Sequence, residues 1–197
     1  MKQLVLIGSG GHAKSVIDII EAENKWNIYG LIGKKNEIGQ DILGYSVIGS
    51  DENLEDIRRE CDHAIIGVGQ IGLPCIRVEL AKKLKKLCFK SPFLISPNAY
   101  VSKRAKIGVG SVIGHGVVIN ADAEVGKYCI VNSQCLIEHG VRVGDFCHIS
   151  TGAKLNGDVL VGENSFIGSN SIIRNGVSLP CATIISAGKR IMGWPLI

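Results

Sequence analysis

The chain has 197 residues with 22 Lys and Arg against 18 Asp and Glu, and this modest net charge of +4 favours no nucleic-acid partner. Hydrophobic residues make up 46% of the chain but aromatic residues only 5%, so branched aliphatic side chains must fill the core. No apolar run approaches the roughly 18 residues of a membrane span, and the start is too short for a signal peptide, so we expect a cytoplasmic protein without membrane insertion.

The N-terminal part alternates predicted strands and helices. A buried strand at residues 4–7 leads through a glycine-rich turn into an amphipathic helix. Further strands are predicted near 28–32, 47–48 and 64–68, with helices near 53–60 and 76–87. The alternation predicts a small Rossmann-like parallel sheet, and we assign residues 1–90 to an α/β substrate-binding domain.

The glycine-rich turn offers backbone N–H donors and the positive end of a helix dipole to an anion. It also matches the permissive GxGxxG/A pattern, but residues 31–36 contain no acidic residue for a dinucleotide ribose, which disfavours an NAD site. We therefore predict that it binds the anionic part of another substrate. His12 could donate to that anion or be only a solvent-exposed capping residue. The candidate substrate-binding residues are Gly10, Gly11, His12 and Lys14.

A six-residue repeat begins at Ile95, after a predicted connection through residues 87–97. Seventeen successive positions in steps of six, from Ile95 to Ile191, are Ile, Leu or Val, and the position four further on is small. This pattern predicts a β-solenoid with three flat faces and a coil of about 18 residues. Glycines directly after the aliphatic residue suit tight bends; they are Gly108, Gly114, Gly126, Gly144, Gly162 and Gly168.

The seven cysteines show neither CxxC spacing nor an even count, so we expect neither a disulfide framework nor a metal site. Cys129, Cys135 and Cys147 fall on the small positions of the repeat. We interpret these three as packing residues.

The chain resembles the PglD/NeuD group of bacterial sugar acetyltransferases. The motifs that carry the resemblance are Gly-Ser-Gly-Gly-His at 8–12, Ile-Glu-His-Gly at 137–140, Ile-Ser-Thr-Gly at 149–152 and Leu-Asn-Gly-Asp at 155–158. The resemblance implies that residues 91–197 form a left-handed parallel β-helix. It further implies a homotrimer, acetyl-CoA between neighbouring β-helices, and a sugar or nucleotide sugar held by the N-terminal domain.

The same resemblance implies the roles of individual residues. His139 would be the general base and His12 a substrate-binding residue. Asn132 and His148 would be further active-site positions. The candidate acetyl-CoA-binding residues are Asn132, His148, Gly152, Gly168, Ser186, Lys189 and Arg190, of which Lys189 and Arg190 could contact phosphate through their positive charge. Because His139 and His148 are nine residues apart, half a coil, they should face different sides of the prism and converge only across a subunit boundary.

Two features depart from the family pattern. Members that acetylate nucleotide-linked amino sugars have an acidic residue directly after the base, where this chain has Gly140. Glu138 is a second catalytic candidate, although stacking favours a hydrogen-bonded ladder between Asn120 and Asn156. Near the end, Gly193-Trp194-Pro195 resembles a shortened form of the segment that closes on CoA.

We therefore predict an acetyl-CoA-dependent sugar acetyltransferase of surface-glycan biosynthesis, similar to sialic acid O-acetyltransferases because of the Glu-His-Gly sequence. An N-acetyltransferase of a nucleotide-linked 4-amino sugar (a UDP-sugar) is the alternative, and a non-catalytic β-helix scaffold is a third hypothesis. A nucleotidyltransferase remnant is disfavoured because the short N-terminal domain lacks a long phosphate-binding loop.

Overall fold

The computed structural model describes residues 1–195, so residues 196 and 197 of the predicted β-helix domain lie outside the described residues. The chain divides into two compact units. The first unit comprises Met1–Gly69 and Cys75–Leu94, and the second comprises Gln70–Pro74 and the chain from Ile95 onward. Residues 70–74 thus interrupt the sequence of the first unit but belong to the second.

The first unit is built on a five-stranded sheet with helices between its strands. Its strands are β1 (Lys2–Ile7), β2 (Trp26–Ile32), β3 (Asp41–Ile42), β4 (Tyr45–Gly49) and β5 (Ala64–Ile66). Its helices are α1 (Gly11–Glu23), α2 (Leu54–Glu60) and α3 (Cys75–Lys86), and 3₁₀ turns span Lys35–Glu37 and Asp51–Asn53. The strand order is β3-β4-β2-β1-β5, and β3 and β4 form the antiparallel pair.

Apolar side chains explain this arrangement. Residues 4–7 of β1 are buried because the strand has parallel neighbours on both sides. Helix α1 buries Val16, Ile17, Ile19 and Ile20 at helical spacing. The predicted alternation of strands and helices is confirmed. The prediction lacked β3, because a two-residue strand is too short to carry a hydrophobic period.

The second unit consists of two-residue strands. They are β6 (Leu94–Ile95), β7 (Tyr100–Val101), β8 (Lys106–Ile107), β9 (Val112–Ile113), β10 (Val118–Ile119), β11 (Glu124–Val125), β12 (Ile130–Val131), β13 (Leu136–Ile137), β14 (Arg142–Val143), β15 (His148–Ile149), β16 (Lys154–Leu155), β17 (Leu160–Val161), β18 (Phe166–Ile167), β19 (Ile172–Ile173), β20 (Ser178–Leu179), β21 (Ile184–Ile185) and β22 (Arg190–Ile191).

These strands form three parallel sheets in which each strand pairs with the strand three places further along the chain. Face one is β7-β10-β13-β16-β19-β22, face two is β8-β11-β14-β17-β20, and face three is β6-β9-β12-β15-β18-β21. Ile137, for example, pairs with Leu155, so residues 18 apart stack directly. The fold is the predicted left-handed parallel β-helix.

The interior is formed by the repeat positions. From Ile113 to Ile191 every sixth residue is buried in one continuous cluster, and burial of each such side chain contributes about 1.5–3 kcal/mol. Cys129, Cys135 and Cys147 are buried at the small positions, as predicted. Burial raises the pKa of the Cys135 thiol to about 12, which keeps it protonated.

The glycines after the aliphatic residues have a different role from the one predicted. The left-handed residues of the bends lie two positions later, for example Gly110 at φ 71° and Gly116 at φ 66°. Gly108 and Gly168 are glycine because a Cβ would lie 2.5 Å from backbone atoms of the next coil. Close stacking of coils, rather than turn conformation, requires these glycines.

Candidate active site

His139 lies in a corner between face one and face two. This histidine corner comprises residues 120–122, 138–140, 156–158 and 174–176, which are the stacked turns between the two faces. His139 is exposed, and its ring lies over Gly157 in the next coil. A Cβ on Gly157 would be 2.5 Å from His139 Cε1 and 2.7 Å from Nε2, so only glycine there leaves room for the imidazole.

Asn175 faces the imidazole from one coil further on. Its Nδ2 lies 3.0 Å from the same Cβ position of Gly157 that the imidazole approaches. The imidazole and the amide therefore border one gap, which the missing side chain of Gly157 opens. Sequence reasoning missed Asn175, although its position 36 residues after His139 is two coils of the repeat.

Glu138 forms no hydrogen bond with the His139 imidazole among the described residues. Its Oε2 accepts hydrogen bonds from Asn120 Nδ2 at 3.0 Å and from the His139 main-chain N–H at 3.2 Å. The predicted ladder extends in one direction only, because Asn156 Nδ2 donates to the carbonyl oxygen of Ile173 at 2.8 Å. Glu138 thus fixes the backbone of the corner that presents His139.

Gly140 adopts φ 69°, and the space beside it is occupied. Asp158 Oδ1 lies 2.0 Å from the point where a Cβ of residue 140 would stand. The main-chain N–H of Asp158 donates to the His139 carbonyl oxygen at 3.0 Å. A carboxylate therefore lies beside residue 140, although it belongs to Asp158 of the next coil and not to residue 140 itself.

His148 lies on β15 of face three, away from the face-one and face-two corner of His139. It is buried, and its Nδ1 is 2.5 Å from the carbonyl oxygen of Gln70. Because a carbonyl only accepts, Nδ1 carries the proton and Nε2 is left to accept from Asn132 Nδ2 at 3.4 Å. The Gln70 side chain also donates to the Phe146 carbonyl oxygen at 3.2 Å, so His148 and Gln70 together hold residues 70–74 against face three.

The other acetyl-CoA candidates fall on two stretches of the second unit. Asn132, Gly168 and Ser186 follow strands of face three and share one stacked column, and Gly152 belongs to the turn beside it, at φ 70°. Lys189 and Arg190 are exposed near β22 on face one. The structure therefore groups Asn132, Gly168, Ser186 and His148 along one side and places His139 at another corner.

The glycine-rich loop of the first unit is open at the start of α1. Gly10 is the N-cap residue, and a Cβ on Gly10 or Gly11 would have no atom within 4 Å. No acidic side chain lies in the first turn of α1, so its N–H groups and positive dipole end are uncompensated by a carboxylate there. His12 is half-buried and Lys14 is exposed on the same helix.

Residues 31–36 contain no acidic side chain, but the structure brings the carboxylate of Glu37 to the glycine-rich loop. The Ser9 hydroxyl donates to Glu37 Oε2 at 2.6 Å, and the Lys34 main-chain N–H donates to it at 2.8 Å. The Ser9 hydrogen bond lowers the pKa of the Glu37 carboxyl. A ribose-binding carboxylate was expected within residues 31–36, whereas the 3₁₀ turn Lys35–Glu37 brings Glu37 back to the loop.

Residues 1–195 contain no helix with the length and hydrophobicity that a membrane span requires. The same residues contain no group of three or more His, Cys, Asp or Glu side chains arranged to hold a metal ion.

A left-handed β-helix of six-residue repeats is the fold of the hexapeptide-repeat acyltransferases, and this chain is an acyltransferase of that class. The PglD N-terminal domain family matches residues 3–84, and the bacterial transferase hexapeptide family matches residues 140–175. The chain belongs to the PglD-like family of sugar acetyltransferases of the left-handed β-helix superfamily.

Solved structures support this membership. A variant of the perosamine N-acetyltransferase of Caulobacter crescentus, in complex with CoA and GDP-perosamine, is 30% identical with a TM-score of 0.91; the match covers 98% of this chain and 90% of that one. The acetyltransferase domain of PglB from Neisseria gonorrhoeae, in complex with acetyl coenzyme A, is 30% identical with a TM-score of 0.86, covering 96% and 92% of the two chains. An uncharacterized protein of Acanthamoeba polyphaga mimivirus is 32% identical over 64% of this chain, but the match spans only 24% of that protein.

Proposed function

We propose that this chain transfers the acetyl group of acetyl-CoA to the amine of a nucleotide-linked amino sugar in the bacterial cytoplasm. The observation that carries the proposal is the exposed His139 imidazole, which lies over Gly157. The chain that presents it is 30% identical to a perosamine N-acetyltransferase, in a match that covers 98% of this chain and 90% of that enzyme. The likeness to an enzyme solved with GDP-perosamine supports an amine acceptor on a nucleotide sugar.

His139 acts as the general base in this proposal. Its neutral imidazole accepts a proton from the acceptor nitrogen as that nitrogen attacks the thioester carbonyl carbon. The carbon–sulfur bond then breaks, and CoA leaves as a thiolate that takes up the proton. A backbone N–H at the corner stabilises the oxyanion of the tetrahedral intermediate. Glu138 contributes by fixing the backbone of the corner through its bonds to Asn120 and the His139 N–H.

We further propose a homotrimer in which acetyl-CoA binds between two chains. The positions of His139 and His148 on different sides of one β-helix support this assembly, because only a second chain can bring such residues together. The proposed acetyl-CoA-binding residues are Asn132, His148, Gly152, Gly168, Ser186, Lys189 and Arg190. Lys189 and Arg190 supply the positive charge that CoA phosphates require.

The first unit holds the nucleotide sugar in this proposal. The open N-terminus of α1, with Gly10, Gly11, His12 and Lys14, offers N–H donors and positive charge to a diphosphate. The Glu37 carboxylate, beside Ser9 at the same loop, offers an acceptor for ribose hydroxyls.

O-acetylation of a sialic acid is the second candidate. The Glu138-His139-Gly140 sequence favours it, because no acidic side chain follows the base in the chain. The Asp158 carboxylate beside Gly140 reduces the weight of that argument, since the corner does contain a carboxylate.

Thiol release from acetyl-CoA, measured with a panel of nucleotide-linked amino sugars, free amino sugars and sialic acids, tests the proposal. We expect turnover with a nucleotide-linked amino sugar and loss of about 10³-fold or more in His139→Ala. His63→Ala, in the first unit where the His63 ring packs against Trp26, is the matched control and should keep its activity. Turnover only with sialic acids would select the second candidate. An absence of turnover, together with no saturable heat on titration with acetyl-CoA, would favour a scaffold.

A further inference from the structure

The base and an asparagine approach each other across one glycine of the histidine corner. His139, Gly157 and Asn175 occupy the same position in three successive coils. Apart from the chain neighbours of Gly157, the atoms nearest to a Cβ on this glycine would be His139 Cε1 at 2.5 Å, His139 Nε2 at 2.7 Å and Asn175 Nδ2 at 3.0 Å. The imidazole therefore turns its Cε1–Nε2 edge towards Gly157, and the amide nitrogen of Asn175 reaches the same place from the other side.

The turn itself does not require asparagine at residue 175. The three preceding coils have alanine, histidine and glycine at this position. Asn175 is exposed, and within residues 1–195 its amide makes no hydrogen bond. By contrast, Asn120 donates to Glu138 at 3.0 Å and Asn156 donates to the carbonyl oxygen of Ile173 at 2.8 Å, so both stabilise the corner. The amide of Asn175 is thus available to a ligand.

The space over Gly157 suits a small ligand with two adjacent polar atoms. No ligand atom can lie at the Cβ point itself, because that point is one bond length from the glycine Cα. Further out, however, the gap is open to solvent, since His139 and Asn175 are both exposed. Both nitrogens approach the Cβ point to hydrogen-bond length, so two neighbouring atoms of one ligand can bond to Nε2 and Nδ2 at the same time.

We propose that Asn175 binds the hydroxyl group next to the reacting amine of the acceptor sugar, a role that rests on the proposed function. The amine gives its proton to His139 Nε2, and the Asn175 Nδ2–H donates to the oxygen of the adjacent hydroxyl. Neighbouring carbons of one sugar ring carry these two groups, so a single edge of the ring meets both side chains. Asn175 thereby orients the attacking nitrogen and selects acceptors that carry an amine beside a hydroxyl.

Removing each partner of this hydrogen bond tests the proposal. The acceptor is the nucleotide-linked amino sugar with the highest turnover, and its analogue lacks the hydroxyl next to the amine. Asn175→Ala should lower kcat/KM for the complete acceptor about three- to tenfold, the size of one hydrogen bond, and leave KM for acetyl-CoA within about twofold. With the analogue, wild type and Asn175→Ala should have equal kcat/KM, because the hydrogen bond is already absent.

Asn27→Ala is the matched control, because Asn27 is an exposed asparagine of β2 in the first unit. Its kcat/KM should remain within about twofold of the wild-type value for both acceptors. The pH dependence of kcat/KM should be the same in wild type and Asn175→Ala, since His139 remains the base. A displaced imidazole would instead lower the activity towards both acceptors alike.

The wild-type assay separates this proposal from the proposed function. If wild type acetylates the amino sugar but Asn175→Ala has unchanged kcat/KM, or loses the same factor with both acceptors, the role of Asn175 is overturned and the proposed function stands. If wild type acetylates no nucleotide-linked amino sugar, the proposed function fails and the role of Asn175 fails with it.

Discussion

Glycine matters at the histidine corner because of the side chain it lacks. Gly157 has an ordinary backbone conformation, so its requirement for glycine comes from its neighbours alone. The imidazole of His139 and the amide of Asn175 use the space that a methyl group would take. Residue 157 therefore controls where the base points without taking part in any reaction.

Gly157→Ala should displace the imidazole of His139 and lower kcat about 10²-fold or more, because a shift of the base by about 1 Å is costly for proton transfer. Thermal unfolding should change little, since the corner is open to solvent on the His139 side. Gly193→Ala is the matched control: Gly193 lies two coils after Gly157 in the same column, and a Cβ there would contact nothing within 4 Å. Equal kcat values in the two variants would contradict the steric role of Gly157.

The Ser9 hydroxyl is expected to stabilise the fold in a pH-dependent way. It lowers the pKa of Glu37 in the folded state, so its contribution is present above the unfolded-state value of about 4.3 and is lost as pH falls through the folded-state value. The Tm of Ser9→Ala should therefore lie below that of wild type at pH 7, and the difference should shrink below about pH 4. Ser46→Ala, at an exposed position of β4, should show no such pH dependence.

Most strands of the β-helix depend on a single inward side chain. In a two-residue strand the second residue fills the interior and the first points outward. The first residues of β6, β9 and β12, which are Leu94, Val112 and Ile130, are buried as well. The strand pairs are held by backbone hydrogen bonds to the neighbouring coils, such as His148 N–H to the Ser165 carbonyl at 2.9 Å. The stability of each strand is thus a property of the stack rather than of its own sequence.

Ile149→Ala should reduce the free energy of unfolding by about 2–5 kcal/mol, because the site is fully buried between rigid coils that cannot collapse into the cavity. Ile184→Ala removes the same groups from the outward position of β21 on the same face, where the side chain is 54% exposed. It should cost about 0.5 kcal/mol or less. Denaturant unfolding measures both, and similar losses would contradict the assignment of inward and outward positions.

The two histidines of the proposed site lie on different sides of one β-helix. Their separation determines how many chains must contribute to each site. His139 belongs to the corner of faces one and two, whereas His148 lies on face three and is bonded to Gln70 and Asn132. If both serve one acetyl-CoA, each site takes its histidines from two chains. The number of sites then equals the number of interfaces.

Mixing inactive subunits tests this arrangement. His139→Ala and His148→Ala chains should each be inactive alone. After unfolding and refolding together in equal amounts, about a quarter of the interfaces should combine an intact His139 with an intact His148, and activity should return to about that fraction. Sedimentation should give a trimer for both variants. Mixtures that stay inactive although each variant assembles would contradict a site shared between chains.

Most of the fold could be predicted from the sequence, because the six-residue repeat places the same types of side chain at the same positions in every coil. The strands from Ile95 to Ile191, the 18-residue coil, the buried cysteines and the alternation of the first unit all follow from local patterns of side-chain size and hydrophobicity. The position of His139 at a corner also follows from the repeat, because its distance from the inward Ile137 fixes its place in the coil.

The contacts around the proposed site could not be predicted, because they arise from the stacking of coils and from turns that bring distant residues together. The carboxylate at Gly140 comes from Asp158, the space for the imidazole comes from Gly157, and Asn175 faces it from a second coil, because residues 18 apart become neighbours only when the coils are built. Glu37 reaches Ser9 through a 3₁₀ turn, and residues 70–74 join the β-helix through His148. Contacts of this kind depend on tertiary distance, and a side chain's type and local pattern do not encode which distant residue will stand beside it.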